Sequence, residues 1–185
     1  FYASKKYPEM SFRLSVNENL VDFYNDYPLS NEWNVYSEAS LSRNVKDQLY
    51  PELRKCIAGR DSYTAANMLL NFVQTAFDYK TDTEQFGYER AFFPDETIFY
   101  PYSDCEDRAI LYSVLIRDLL GLDVVLLHYP LHLATAVRFE MKVPGDHIAI
   151  DGVRYTVCDP TYIGGMVGNA MPKCKKVSAK VVKTQ

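Results

Sequence analysis

A cysteine stands in an acidic tetrapeptide, Asp104-Cys105-Glu106-Asp107, directly before a long apolar run. A structural cysteine would be expected inside that run rather than at its polar start. Ser103 and Glu106 have the S-x-x-E spacing of a capping box, which predicts a helix that begins at Ser103 or Asp104. Cys105 then lies in the first turn, where free N–H groups and the helix dipole favour a thiolate. The neighbouring carboxylates oppose that effect, so the sequence indicates a candidate nucleophile that needs a cationic partner.

A histidine and an aspartate follow in an order that could complete such a site. His132 stands at the start of the predicted strand "HLATAVRF", and Asp159 at the end of the predicted hairpin that comes next. If these strands are adjacent and antiparallel, one imidazole nitrogen can face the sulfur of Cys105 and the other the Asp159 carboxylate. That is the nucleophile, base and orienting group of a cysteine triad. Each residue alone is weak evidence, and His128 remains an alternative base.

The second half of the chain reads as the scaffold for these residues. A helix over 104–120 ends at Gly121, and "DVVLLHY" and "HLATAVRF" read as strands. "DHIAIDGVRYTVCD" reads as a hairpin, because Asp151-Gly152 is a favoured two-residue turn. Helices followed by about four strands predict an α+β fold, with a small antiparallel sheet packed against the helix that carries Cys105.

The first half is predicted to be helical, with one long loop. A short helix should end before Pro28, and Pro51 should divide the helical stretch that Gly59 closes. Residues 61–79 form a helix capped by Asp61 or Ser62, with an apolar face. Residues 80–102 read as an irregular loop with seven aromatic residues, which could pack beneath the loop or line a cleft for a peptide.

These stretches together resemble the transglutaminase-like superfamily of the papain-like fold. The residues that carry the resemblance are "YPYSDCEDRAILYSVLIRDLLGLDV", "HLATAVRF", "VRYTVCDPTY" and the upstream "NFVQTAFDYKTD", within about residues 62–165. In that family a cysteine opens a central helix that packs on a small antiparallel sheet. The resemblance implies a triad of Cys105 as nucleophile, His132 as base and then acid, and Asp159 as orienter. It also suggests Gln74 as a side-chain oxyanion donor, beside the Cys105 backbone N–H.

The resemblance implies acyl transfer on a peptide or protein substrate through a thioester, with no metal or organic cofactor. Bacterial-type domains of this kind are more often hydrolases, so we expect a protease or amidase. The alternatives are a cross-linking transglutaminase and a non-catalytic scaffold module of a larger envelope protein. A redox thiol is a further possibility, for which Cys158 is the realistic resolving cysteine. The expected location is the bacterial periplasm or cell envelope.

Composition excludes several other classes of protein. The net charge is −4 with both signs well mixed, so the chain has no basic stripe that would indicate nucleic-acid binding. No apolar stretch reaches the ~18 residues of a membrane span. The four cysteines lack C-x-x-C spacing and the three histidines are scattered, which argues against a metal site.

The chain begins at Phe1 without a methionine, so we expect it to be part of a larger chain. We predict three parts. Residues 1–60 form a helical and irregular extension, residues 61–172 the transglutaminase-like catalytic domain, and residues 173–185 a solvated basic tail.

Overall fold

A five-stranded antiparallel sheet is the main β-structure of the computed structural model, which describes residues 1–184. Its spatial order is β7-β8-β6-β5-β9. β5 and β6 form a tight hairpin in which Tyr129 pairs with His132. Asp151 and Gly152 connect β7 to β8, both with positive φ, as the sequence predicts for this turn. The strands are β5 (Val124–Tyr129), β6 (His132–Val137), β7 (His147–Ile150), β8 (Val153–Cys158) and β9 (Lys180–Lys183).

Seven helices and two small two-stranded sheets complete the described chain. β1 pairs with β2, and β3 pairs with β4. The helices are α1 (Glu18–Asn25), α2 (Trp33–Ser37), α3 (Arg43–Ile57), α4 (Ser62–Ala76), α5 (Asp82–Gln85), α6 (Pro94–Phe99) and α7 (Cys105–Leu120); the short strands are β1 (Tyr2–Ala3), β2 (Ser11–Phe12), β3 (Asp78–Tyr79) and β4 (Tyr102–Ser103), and a 3₁₀ turn spans Pro172–Cys174.

Helix α7 occupies the centre of the molecule. Every residue from Glu106 to Ile116 is buried, which is the pattern of a helix covered on all sides. It contacts β5 and β6 on one side and α2, α4 and α6 on the others. Gly121 ends it in the left-handed conformation at φ 64°, as predicted. The mixed α/β class with an antiparallel sheet is therefore observed.

The predicted N-terminal extension, residues 1–60, packs against the rest of the chain. Leu49 and Leu53 of α3 lie in the same hydrophobic core as Leu69 of α4 and Leu115 of α7. Met10, before β2, is also fully buried there. Residues 1–60 therefore contribute to the single main core, because α3 presents an apolar face that the helices α4 and α7 cover.

Two predictions about secondary structure were wrong, those for Pro51 and for the C-terminal tail. Pro51 does not divide the helix, since α3 continues through it with the proline on the exposed face. The basic tail is not simply solvated: β9 pairs with β5 as an edge strand, Val182 opposite Leu126, and Thr184 is buried. Cys174, expected in an unstructured end, is also buried. Residue 185, the last of the predicted tail, lies outside the described residues.

The helices of residues 1–184 include none that is both long and apolar enough to cross a bilayer.

Candidate active site

Cys105 is the first residue of α7. The N-cap is Asp104, one residue later than Ser103, the cap of the predicted box. The backbone N–H of Asp104 donates to Asp107 Oδ2 at 3.1 Å, and the Ser103 hydroxyl instead accepts from Arg108 Nε at 3.1 Å. The cysteine thus stands in the first turn, where its own backbone N–H has no intrahelical acceptor.

His132 and Asp159 form a buried hydrogen-bonded pair. His132 opens β6 and Asp159 directly follows β8, and these two strands are neighbours in the sheet. His132 Nε2 lies 2.8 Å from Asp159 Oδ2. The other oxygen of Asp159 accepts the backbone N–H groups of Thr161 and Tyr162 at 3.0 and 3.2 Å. The carboxylate is therefore held by the backbone, and it orients the imidazole with Nδ1 available to another group.

Cys105 and His132 line the same cavity, which has a volume of about 310 Å³. β6 contributes one wall and the start of α7 another. α2 and the β5–β6 turn complete the rim. The remaining lining residues are Trp33, Tyr79, Thr81, Glu89, Asp104, Glu106, His128, Leu131 and Leu133.

The Cys105 thiol donates to a carboxylate rather than to the histidine in this structure. Its sulfur lies 3.1 Å from Glu106 Oε2. Burial raises the pKa of Cys105 well above its usual range, and the Glu106 and Asp104 carboxyl groups raise it further. The backbone N–H of Leu133 acts in the opposite direction, but it does not compensate. Burial, which the sequence did not reveal, thus acts with the carboxylates to raise the pKa of the Cys105 thiol.

A cluster of buried carboxyl groups lies behind the cysteine. Burial raises the pKa of Asp82 to about 7 and that of Asp104 to about 8, and it raises the pKa of Asp107 well above its usual range. Oxygens of these three residues lie within 4.8 Å of one another. Oxygen ligands of this kind suit a hard divalent cation. However, both oxygens of Asp107 already accept backbone N–H groups, from Phe92 and Asp104, and the raised pKa values favour carboxyl groups that share protons.

Gln74 does not have the role that the sequence suggested. Its side-chain Nε2 lies within 3.1 Å of three carbonyl oxygens, those of Asp159, Tyr162 and Gly165. An amide has only two N–H donors, so none is left for an oxyanion. Gln74 is a buried side chain whose hydrogen bonds hold the chain segment after Asp159 in place.

Of the two arrangements predicted for the aromatic residues of the loop, the lining of the cavity is not observed. Phe86, Phe92 and Tyr100 surround the Arg90 guanidinium, which forms an ion pair with Glu96. None of the seven aromatic residues lines the cavity at Cys105. Phe93 packs against tyrosines of the N-terminal part, whereas Tyr88, Phe99 and Tyr102 are exposed. The segment contributes only polar groups, Thr81 and Glu89, to the cavity.

Sequence reasoning missed the aromatic and aliphatic residues that do line the cavity. Trp33 comes from α2, a helix whose bounds the sequence does not predict, and packs edge-on against His128 at 5.7 Å between ring centroids. Leu131 projects from the β5–β6 turn at φ 57° and is 96% exposed. The one available signal for Trp33 is that it is the only tryptophan in the chain.

The alternative residues lie in different environments. His128 lines the cavity but has no carboxylate partner such as the one that orients His132. Cys158 is buried in the main core, whereas Cys105 packs in a different cluster beside Leu133. Both are free thiols in the structure.

Comparisons of the chain with protein-family models, with curated proteins and with solved structures find no match. Any assignment of function therefore depends on the residues and their geometry.

Proposed function

We propose that this chain is a cysteine-dependent acyl-transfer enzyme with a papain-like, transglutaminase-like core, and that it hydrolyses peptide or amide bonds. Cys105 is the nucleophile, His132 the base and then acid, and Asp159 the orienting group. The observation that carries the proposal is the buried hydrogen bond between His132 and Asp159, 2.8 Å long. His132 lines the same cavity as Cys105, the first residue of α7. A buried histidine held by a buried carboxylate beside a thiol is an arrangement that supports nucleophilic catalysis.

The proposed reaction begins with a proton transfer. His132 Nδ1 takes the proton of the Cys105 thiol as the sulfur attacks the substrate carbonyl carbon. The C–N bond then breaks, and the amine leaves with the proton from His132, so that a thioester remains on Cys105. His132 next takes a proton from water, the resulting hydroxide attacks the thioester, and the carboxylic acid leaves as the sulfur regains a proton.

Charge that develops on the carbonyl oxygen needs hydrogen-bond donors. The backbone N–H of Cys105 is one candidate, because it lies in the first turn of α7 with no intrahelical acceptor. Gln74 is not proposed for this role, since its amide donors are occupied.

One observation favours a second candidate function, a non-catalytic binding module. The thiol donates to Glu106 and its pKa is raised, so the resting cysteine is a poor nucleophile at neutral pH. A catalytic site needs the thiol to turn from Glu106 toward His132 when substrate enters, whereas a scaffold does not.

A peptide digest distinguishes these functions. A mixture of tryptic peptides is incubated with the wild-type chain or with Cys105→Ala, with and without a fluorescent primary amine, and analysed by mass spectrometry. New peptide termini that appear only with the wild type support hydrolysis. Incorporation of the amine in place of cleavage indicates the cross-linking alternative, and identical profiles for the two proteins refute acyl transfer.

A further inference from the structure

The walls of the cavity at Cys105 differ in chemistry. Glu89, Asp104 and Glu106 lie on one side, and no lysine or arginine is among the described residues that line it. Trp33 and Leu131 contribute apolar surface on the rim. This combination separates the cavity from an ordinary apolar cleft, because three carboxyl groups line it and no cationic side chain does.

The carboxyl groups near the cavity have no cationic partner in the described chain. None of the ion pairs within residues 1–184 includes Asp82, Glu89, Asp104, Glu106 or Asp107. The buried Arg108 guanidinium donates to a hydroxyl and to backbone carbonyls instead. Oxygens of Asp82, Glu89 and Glu106 lie within 4.8 Å of one another, so three carboxyl groups are gathered with no ion pair to any of them among residues 1–184.

A second observation points to a missing ligand. Asp104 is 5% exposed and its Oδ1 has no hydrogen-bond partner. A buried oxygen without a donor is costly, since it has lost its water without gaining a bond. Because Asp104 lines the cavity, a donor that enters the cavity could satisfy it.

We propose that the substrate of this site carries a lysine or arginine side chain that binds between the Glu89 and Glu106 carboxylates. The aliphatic stem of such a side chain packs on apolar surface while its charged end meets carboxylates. Trp33 and Tyr79 provide aromatic surface that attracts the same cation. This inference deepens the proposed acyl transfer and rests on it for the identity of the substrate as a peptide.

Binding of the basic side chain would also release the Cys105 thiol from Glu106. Glu106 accepts the hydrogen bond of the Cys105 thiol at 3.1 Å in the resting site. A cation that pairs with Glu106 competes for its oxygens and weakens its hold on the thiol, which leaves the sulfur available to His132. A basic substrate would thus make the Cys105 sulfur more available to attack the substrate's own carbonyl group.

The test measures binding and requires no turnover. Trp33 is the only tryptophan, so fluorescence excited at its absorption edge reports occupancy of the cavity. Cys105→Ala is titrated with a blocked tetrapeptide that contains lysine and with the same peptide containing acetyl-lysine, at low ionic strength. We expect the lysine peptide to bind at least about tenfold more tightly, and Glu89→Gln to remove most of that preference.

Glu140→Gln is the matched control, because Glu140 is an exposed carboxylate outside the cavity. It should leave the preference for lysine intact. Equal affinity for the two peptides, or no saturable signal with either, overturns the inference. Lysine-selective binding by a chain that cleaves no peptide would refute the proposed hydrolysis alone, and cleavage without preference for basic residues would refute this inference alone.

Discussion

The hydrogen bond from Cys105 to Glu106 makes a prediction about thiol reactivity. Glu106→Gln removes the negative charge but keeps an oxygen that can accept the thiol. Because the Glu106 carboxylate raises the pKa of Cys105, its removal lowers that pKa and increases the thiolate fraction at neutral pH. The substitution should therefore accelerate alkylation of Cys105.

The size of the effect follows from the 3.1 Å separation of the sulfur from Oε2. Two unit charges at this distance repel by about 1.3 kcal/mol even at the dielectric constant of water, which corresponds to a factor of about ten. The site is largely buried, so the effective dielectric constant is lower and about tenfold is a lower bound.

The assay is the rate of iodoacetamide labelling of Cys105 at pH 7, followed by peptide mass spectrometry. Glu140→Gln is the control for a general change of net charge and should leave the rate unchanged. A Glu106→Gln rate equal to or below that of the wild type would contradict this prediction, because it would mean that burial alone sets the pKa of the thiol.

Two further predictions concern stability and the position of the triad. In the folded state the pKa values of Asp82 and Asp104 are about 7 and about 8, above the ordinary value of 3.8. The stability that these groups contribute to the folded state is therefore fully present below about pH 4 and is lost as pH rises toward 8. Urea denaturation should give a lower free energy of unfolding at pH 8 than at pH 5, and Asp82→Asn should reduce that difference by on the order of a few kcal/mol; an unchanged difference contradicts the assigned pKa shift. Gln74→Ala removes the donor from three carbonyl groups, of which that of Asp159 is buried. This should cost about 1–3 kcal/mol in the same denaturation assay and slow acylation of Cys105 by loosening the segment after Asp159. An unchanged free energy of unfolding would refute this structural role of Gln74.

Local pattern predicted most of the elements that position the site. The apolar run after Cys105, the glycine at 121 and the Asp151-Gly152 turn are signals that depend on neighbouring residues only, and the corresponding helix and hairpin are observed. β9 was missed because a four-residue edge strand, Lys180–Lys183, carries the same lysines as a solvated tail. Its position depends on the open edge of β5, which sequence periodicity does not reveal.

Contacts between distant residues account for the rest. Trp33 and Tyr79 reach the cavity only because α2 and β3 pack near the start of α7. Gln74 looked like a free amide until the loop after Asp159 supplied its three acceptors. The pKa of Cys105 likewise depends on burial, which tertiary packing sets and local sequence only suggests.

The most direct test of the proposed triad compares the two histidines that line one cavity. Acylation of Cys105 by p-nitrophenyl acetate at pH 7 is quenched in acid and quantified as the thioester, for the wild type, His132→Ala and His128→Ala. The account predicts a loss of about 10²–10⁴-fold for His132→Ala, which is the usual range for removal of a general base, and little change for His128→Ala. Equal effects of the two substitutions, or acylation that does not depend on His132, would contradict it.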